Sequence, residues 1–156
     1  MLWTALLLLP LLALVALYAA ALHSRRAAPD YGLVDGRLRP CPPTPNCAGS
    51  EPGTAAERRL PPLPFGAHTA PVAWERLQQA IAAAGGQVVV AHGNYLAATF
   101  RTPWLGFVDD VEARLEPSAQ VIHLRSASRV GRSDFGANRA RLERLARRYT
   151  DPTHPD

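Results

Sequence analysis

Three clusters in this chain have residue types and spacing that suit chemistry. The acidic run Asp109-Asp110-Val111-Glu112 sets three carboxylates within four positions, the raw material of a metal site or an acid/base pair. The stretch from Arg125 to Arg129, Arg132, Asn138 and Arg139 carries guanidiniums suited to bidentate contact with a carboxylate or phosphate. Cys41-Pro-Pro-Thr-Pro-Asn-Cys47 holds the only two cysteines, which offer a structural disulfide, inert thiols or a reactive thiol.

The elements that must position these residues follow from period and punctuation. Thr69 and Pro71 open an amphipathic helix with apolar positions at Val72, Leu77, Ala80, Ile81 and Ala84, and Gly85-Gly86 closes it. Four β-type runs follow at 87–91, 94–102, 107–115 and 119–129, separated by turn residues. A second helix starts near Ser133 or Asp134 and runs to about Tyr149, with Phe135, Leu142, Leu145 and Ala146 as its stripe. The expected domain, residues 71–150, is α+β: a four-stranded antiparallel sheet flanked by two helices, α-β-β-β-β-α. Residues 27–70 hold nine of the 15 prolines and read as extended coil and turns crossing a surface. Residues 151–156 form a tail.

Placed on these elements, the acidic run changes character. A two-residue turn at Pro117-Ser118 sets Asp110 opposite Arg125 and Glu112 opposite His123, and keeps Val111, Ala113, Leu115, Ile122 and Leu124 on one apolar face. Asp110 and Glu112 then belong to cross-strand charge pairs on the solvent face rather than to an active site. Asp109 points to the apolar side and needs donors, which Ser126, Ser128 and the following helix can supply. The arginine-rich stretch runs from a strand into a helix N-terminus, where backbone N–H groups favour an anion. The plainer alternative has Asp134 capping the helix and Arg141, Arg144, Arg147 and Arg148 lining a solvated face. Five scattered histidines and two cysteines make no recognisable zinc pattern, and no cofactor is expected.

All 17 basic residues are Arg, the formal charge is +4, and no nucleic-acid-binding motif accompanies that charge. Residues 2–22 contain no charged side chain, and as a helix would be about 31 Å long, enough to cross a hydrocarbon core. Trp3 and Tyr18 near its ends suit the interface, and His23, Arg25 and Arg26 stop it. Residues 1–23 therefore read as one transmembrane helix preceding the domain, with a cleaved signal ending at Ala19-Ala20-Ala21 as the rival.

The motifs Cys-Pro-Pro-Thr-Pro-Asn-Cys, Phe107-Val-Asp-Asp-Val-Glu112, Arg125-Ser-Ala-Ser-Arg129-Val-Gly and Asp134-Phe-Gly-Ala-Asn-Arg139 resemble those of the bacterial domain-of-unknown-function family 1499. Ala48-Gly49-Ser50 departs from the Val-Ser-Ser more usual there. The resemblance implies a shared fold and an envelope setting, and supplies no substrate. Arg25-Arg26 would place the domain in the cytoplasm, whereas the cysteine pair and the family setting favour the periplasmic face of the inner membrane.

The leading expectation is a non-catalytic membrane-tethered module that binds an anionic small molecule, a lipid headgroup or a protein partner through Arg129, Arg132, Asn138 and Arg139, with Asp109 nearby. One alternative is a thiol-dependent hydrolase using Cys47, with His123 as base and Glu112 orienting it. Another is a structural role with the basic C-terminal helix on lipid headgroups.

Overall fold

The computed structural model describes residues 2–27 and 29–153, with side chains in the N-terminal helix from Leu9 onward. Helix α1 spans Leu2–Arg26. Large apolar side chains on it from Leu9 to Tyr18 are 49–71% exposed, so among the described residues nothing covers them. Among the described residues no helix is long and apolar enough to cross a membrane. The expected span begins at residue 2, so part of it lies outside the described side chains.

The end of α1 is built into the domain. Ser24 is buried, and its hydroxyl donates to the Val108 carbonyl (3.2 Å) and accepts the Val108 N–H (2.9 Å). Arg25 donates to the carbonyls of Leu105 (2.6 Å) and Gly106 (3.1 Å).

The expected α-β-β-β-β-α order is present: α2 Ala70–Ala83, β3 Gln87–His92, β4 Tyr95–Arg101, β5 Val108–Glu116, β6 Val121–Ser128 and α3 Ala137–Thr150. The sheet is larger than the four strands expected. The proline-rich segment supplies β1 (Cys47–Gly49) and β2 (Leu63–Pro64), and both pair antiparallel with the outer edge of β6. The order is β1-β6-β5-β4-β3. Strands this short carry no period to read, and proline is tolerated there because an edge strand can leave one side unpaired.

Register differs from expectation as well. The β5–β6 turn holds four residues, Pro117 to Gln120, with Gln120 at φ 53°. Glu112 therefore faces Arg125, and Arg114 faces His123. A shift of two preserves the pleat, so Val111, Ala113, Leu115, Ile122 and Leu124 share one face as expected while every cross-strand partner changes.

On that face α2 and α3 cover the sheet. Leu77 and Ile81 of α2 and Leu142, Leu145 and Tyr149 of α3 join Leu96, Phe100 and Ile122 in one core. Gly86, just past α2, is required by close approach: a Cβ there would lie 2.4 Å from the Phe100 ring. Helix α3 starts at Ala137, three or four residues later than expected, because Phe135 and Gly136 both adopt left-handed backbone. Asp134 still serves as a cap, its carboxylate accepting the N–H groups of Gly136 (3.0 Å) and Asn138 (2.7 Å).

The opposite face is not solvated. Segment 29–40 lies across it, with Tyr31 and Leu38 packed against Tyr95 and Ala97. Asp110 and Glu112 are 4% and 3% exposed.

Candidate functional site

The buried face carries three charged clusters in a row along β5. At one end, Arg129 grips Asp110 with two hydrogen bonds (2.9 and 2.8 Å). Arg129 also donates to the Ala27 carbonyl (2.7 Å) and the Tyr31 hydroxyl (3.0 Å), and Tyr31 donates to Asp110 (2.7 Å). Burial, and then the Asp110 carboxylate, push the Tyr31 hydroxyl well above its ordinary value, so it remains a donor. In the middle, Arg125 bonds Glu112 (2.8 Å) and Tyr95 donates to the same carboxylate (2.6 Å). At the far end, Arg114 bridges Glu51 (2.8 Å) and Glu116 (2.9 Å). The expected Asp110–Arg125 and Glu112–His123 pairs are therefore replaced by Asp110–Arg129 and Glu112–Arg125.

The far cluster also holds Ser50 and His123. His123 Nε2 lies 3.2 Å from Glu116 and Nδ1 lies 3.3 Å from the Ser50 hydroxyl. A serine, a histidine and a carboxylate in line suggest nucleophilic chemistry. The Ser50 oxygen is otherwise committed: it accepts the Leu124 N–H (2.8 Å) and lies 3.3 Å from the Leu124 carbonyl. Ser50 is buried and holds the chain after β1 against β6, so its place is structural. Beside it, a cleft of about 450 Å³ is lined by Asp35, Arg37, Glu51, Arg114, Glu116 and His123.

Glu51 gives this cluster a pH signature. Burial pushes its carboxyl up, but hydrogen bonds from Arg114 and the Leu38 N–H (3.2 Å) outweigh that and hold it below its ordinary 4.5. A carboxyl with a lower value folded than unfolded contributes stability that is fully present above about pH 4.5 and lost as pH falls through the folded value. Urea unfolding between pH 6 and pH 3 (roughly the carboxylate range) is expected to show stability falling with acid. Glu51→Gln should flatten that slope; an unchanged slope would mean that Glu51 does not carry it.

On the core face Asp109 meets Arg141 at 2.5 Å. Arg141 also donates to Asn138 (2.5 Å) and Ser126 (3.0 Å) and lies over the Phe100 ring at 5.1 Å. Arg141 is buried, not on the solvated helix face expected for it. Asn138 is fully buried, and its amide donates to the Asn46 carbonyl (3.0 Å) and Ser128 (2.9 Å) while its oxygen accepts from Ser126 (2.6 Å).

Most residues of the expected anion site have partners within the chain. Arg129 is held by Asp110, Asn138 by four partners, and Asp109 by Arg141. Arg139 pairs with Glu143 (2.9 Å) and donates to the carbonyls of Glu57 and Arg59. Of the proposed set only Arg132 stays exposed on the turn. The thiol enzyme is overturned: Cys41 and Cys47 form a disulfide with Cα atoms 5.6 Å apart, which leaves no thiolate. Among the described residues no group of three or more His, Cys, Asp or Glu is placed to hold a metal ion.

Sequence reasoning missed Tyr31, Ser50, Glu51 and Arg114. Their signal was weak because the proline-rich segment has no period. The one available clue was Ser50-Glu51 falling straight after the cysteine loop.

No curated protein and no solved structure matches the chain. A family model described as protein of unknown function (DUF1499) matches residues 37–148, which takes in the cysteine loop, the charged residues of the three clusters and nearly all of α3, and the chain belongs to that family.

Proposed function

We propose that this protein is a non-catalytic module of the bacterial envelope, held at the inner membrane by α1 with its folded domain on the oxidising, periplasmic side. The observation that carries this reading is the bare apolar surface of α1 from Leu9 to Tyr18, which no other described residue covers. An apolar helix of this kind is stable when an apolar medium covers it. The Cys41–Cys47 disulfide supports the side, since such bonds persist in oxidising compartments.

The non-catalytic part rests on the commitments just described. No free thiol is present, the Ser50 hydroxyl is tied to Leu124, and the buried carboxylates each have a cationic partner. An anion enclosed by Arg129, Arg132 and Arg139 is not part of this reading, because the chain's own acceptors hold two of the three.

Fractionation with an alkaline carbonate wash, combined with thiol labelling before and after reduction, tests the proposal. Full-length protein is expected in the membrane pellet with both sulfurs blocked until reductant is added. Protein in the soluble fraction with two reactive thiols would overturn it.

A further inference from the structure

Two large aromatic side chains in the domain are entirely bare. Trp104 is 101% exposed and Phe135 is 100% exposed. Both adopt left-handed backbone, Trp104 at φ 67° and Phe135 at φ 54°. A bulky residue at positive φ is an outlier that the surrounding structure must enforce, and such outliers cluster where function needs a side chain aimed.

Both loops leave the sheet at the end where α1 enters. Trp104 sits in the β4–β5 loop, and Arg25 of α1 clamps the neighbouring carbonyls of Leu105 and Gly106. Phe135 sits in the turn after β6. That turn begins at Arg129, whose N–H meets the Val108 carbonyl and whose guanidinium holds the Ala27 carbonyl just beyond α1. Arg26, Arg101 and Arg132 are exposed on the same segments. The nearest acid on the turn, Asp134, is occupied by the N–H groups of Gly136 and Asn138.

The geometry points to a membrane-facing pole: Trp104 and Phe135 enter the interface of the bilayer that holds α1, and Arg26, Arg101 and Arg132 meet anionic lipid headgroups. This rests on the tether proposed above and adds a second contact to it. Indole rings favour the interface, where an apolar body and a polar N–H are both accommodated. Exposed cations close to an anionic leaflet add attraction that salt screens. The domain would then sit against the membrane in one orientation rather than hang from α1.

The test uses the full chain with Trp3→Phe and Trp74→Phe, leaving Trp104 as the only indole. It is reconstituted in vesicles of phosphatidylcholine and phosphatidylglycerol with brominated acyl chains. Trp104 emission is expected to shift to the blue and to lose most of its intensity relative to unbrominated vesicles. Arg26→Gln, Arg101→Gln and Arg132→Gln together, or high salt, should reduce that loss. Should Trp74→Phe perturb folding, the quenching lost between the unsubstituted chain and Trp104→Phe reports the same quantity. A chain that floats with the vesicles while Trp104 keeps the emission of a water-exposed indole overturns the pole and leaves the tether standing. A chain that does not float overturns the tether, and the pole with it.

Discussion

Replacing Asp109 by alanine is expected to cost about 3–5 kcal/mol of folding stability, the range for removing one partner of a buried ion pair. The site has the features that make such a loss large. Asp109 is 4% exposed, and among the described residues its carboxylate is the one anion that meets Arg141. The other partners of Arg141 are neutral: Ser126, Asn138 and the face of Phe100. Its Nε already has no hydrogen-bond partner. Without Asp109 the guanidinium stays charged in the core, since arginine does not deprotonate in proteins. A domain of this size has roughly 5–15 kcal/mol in total, so the variant should unfold at much lower urea or temperature. Asp109→Val combined with Arg141→Met should recover most of the loss, because an apolar pair of similar volume can replace a buried ion pair at little cost. Urea denaturation of the two variants checks this. A single-variant loss below about 1 kcal/mol would indicate a solvated pair.

Why Asp109 was legible in the sequence, and its neighbours less so, follows from what each depends on. The inward direction of Asp109 needs only alternation along β5, and alternation survives any register shift of two. The identity of its partner needed the placement of α3, where Arg141 looked like part of an exposed basic face. Asp110 and Glu112 depended on the exact length of the Pro117–Gln120 turn, and two extra residues there exchanged all their partners. Their burial depended on segment 29–40, which folds over the sheet through Tyr31 and through Leu38, whose N–H meets Glu51, without any periodic signal. The strands β3 to β6 and both domain helices were readable because each is long enough to show its period. Strands β1 and β2 were not, since tertiary pairing with β6 alone makes three residues and two residues into strands.

Arg129→Ala is expected to be similarly damaging, with a loss of about 3–5 kcal/mol, and it separates a structural arginine from a ligand-binding one. Arg129 contacts both oxygens of the Asp110 carboxylate: one takes its Nε and the other its Nη2. Its remaining hydrogen bonds reach the Ala27 carbonyl and Tyr31, so one side chain fastens β5, β6 and the chain just after α1 together. The Asp110 carboxylate lifts the Arg129 guanidinium above its ordinary range, so the arginine stays charged. Removing Arg129 leaves Asp110 with Tyr31 as its hydrogen-bonding side chain and frees the segment that Ala27 begins. Amide exchange across residues 29–37 should therefore quicken along with the fall in global stability. Arg129→Lys should recover only part of the loss, because an ammonium cannot make the two-pronged contact. A residue kept for an external anion would behave in the opposite way: Arg129→Ala would leave stability and amide exchange unchanged and abolish only binding.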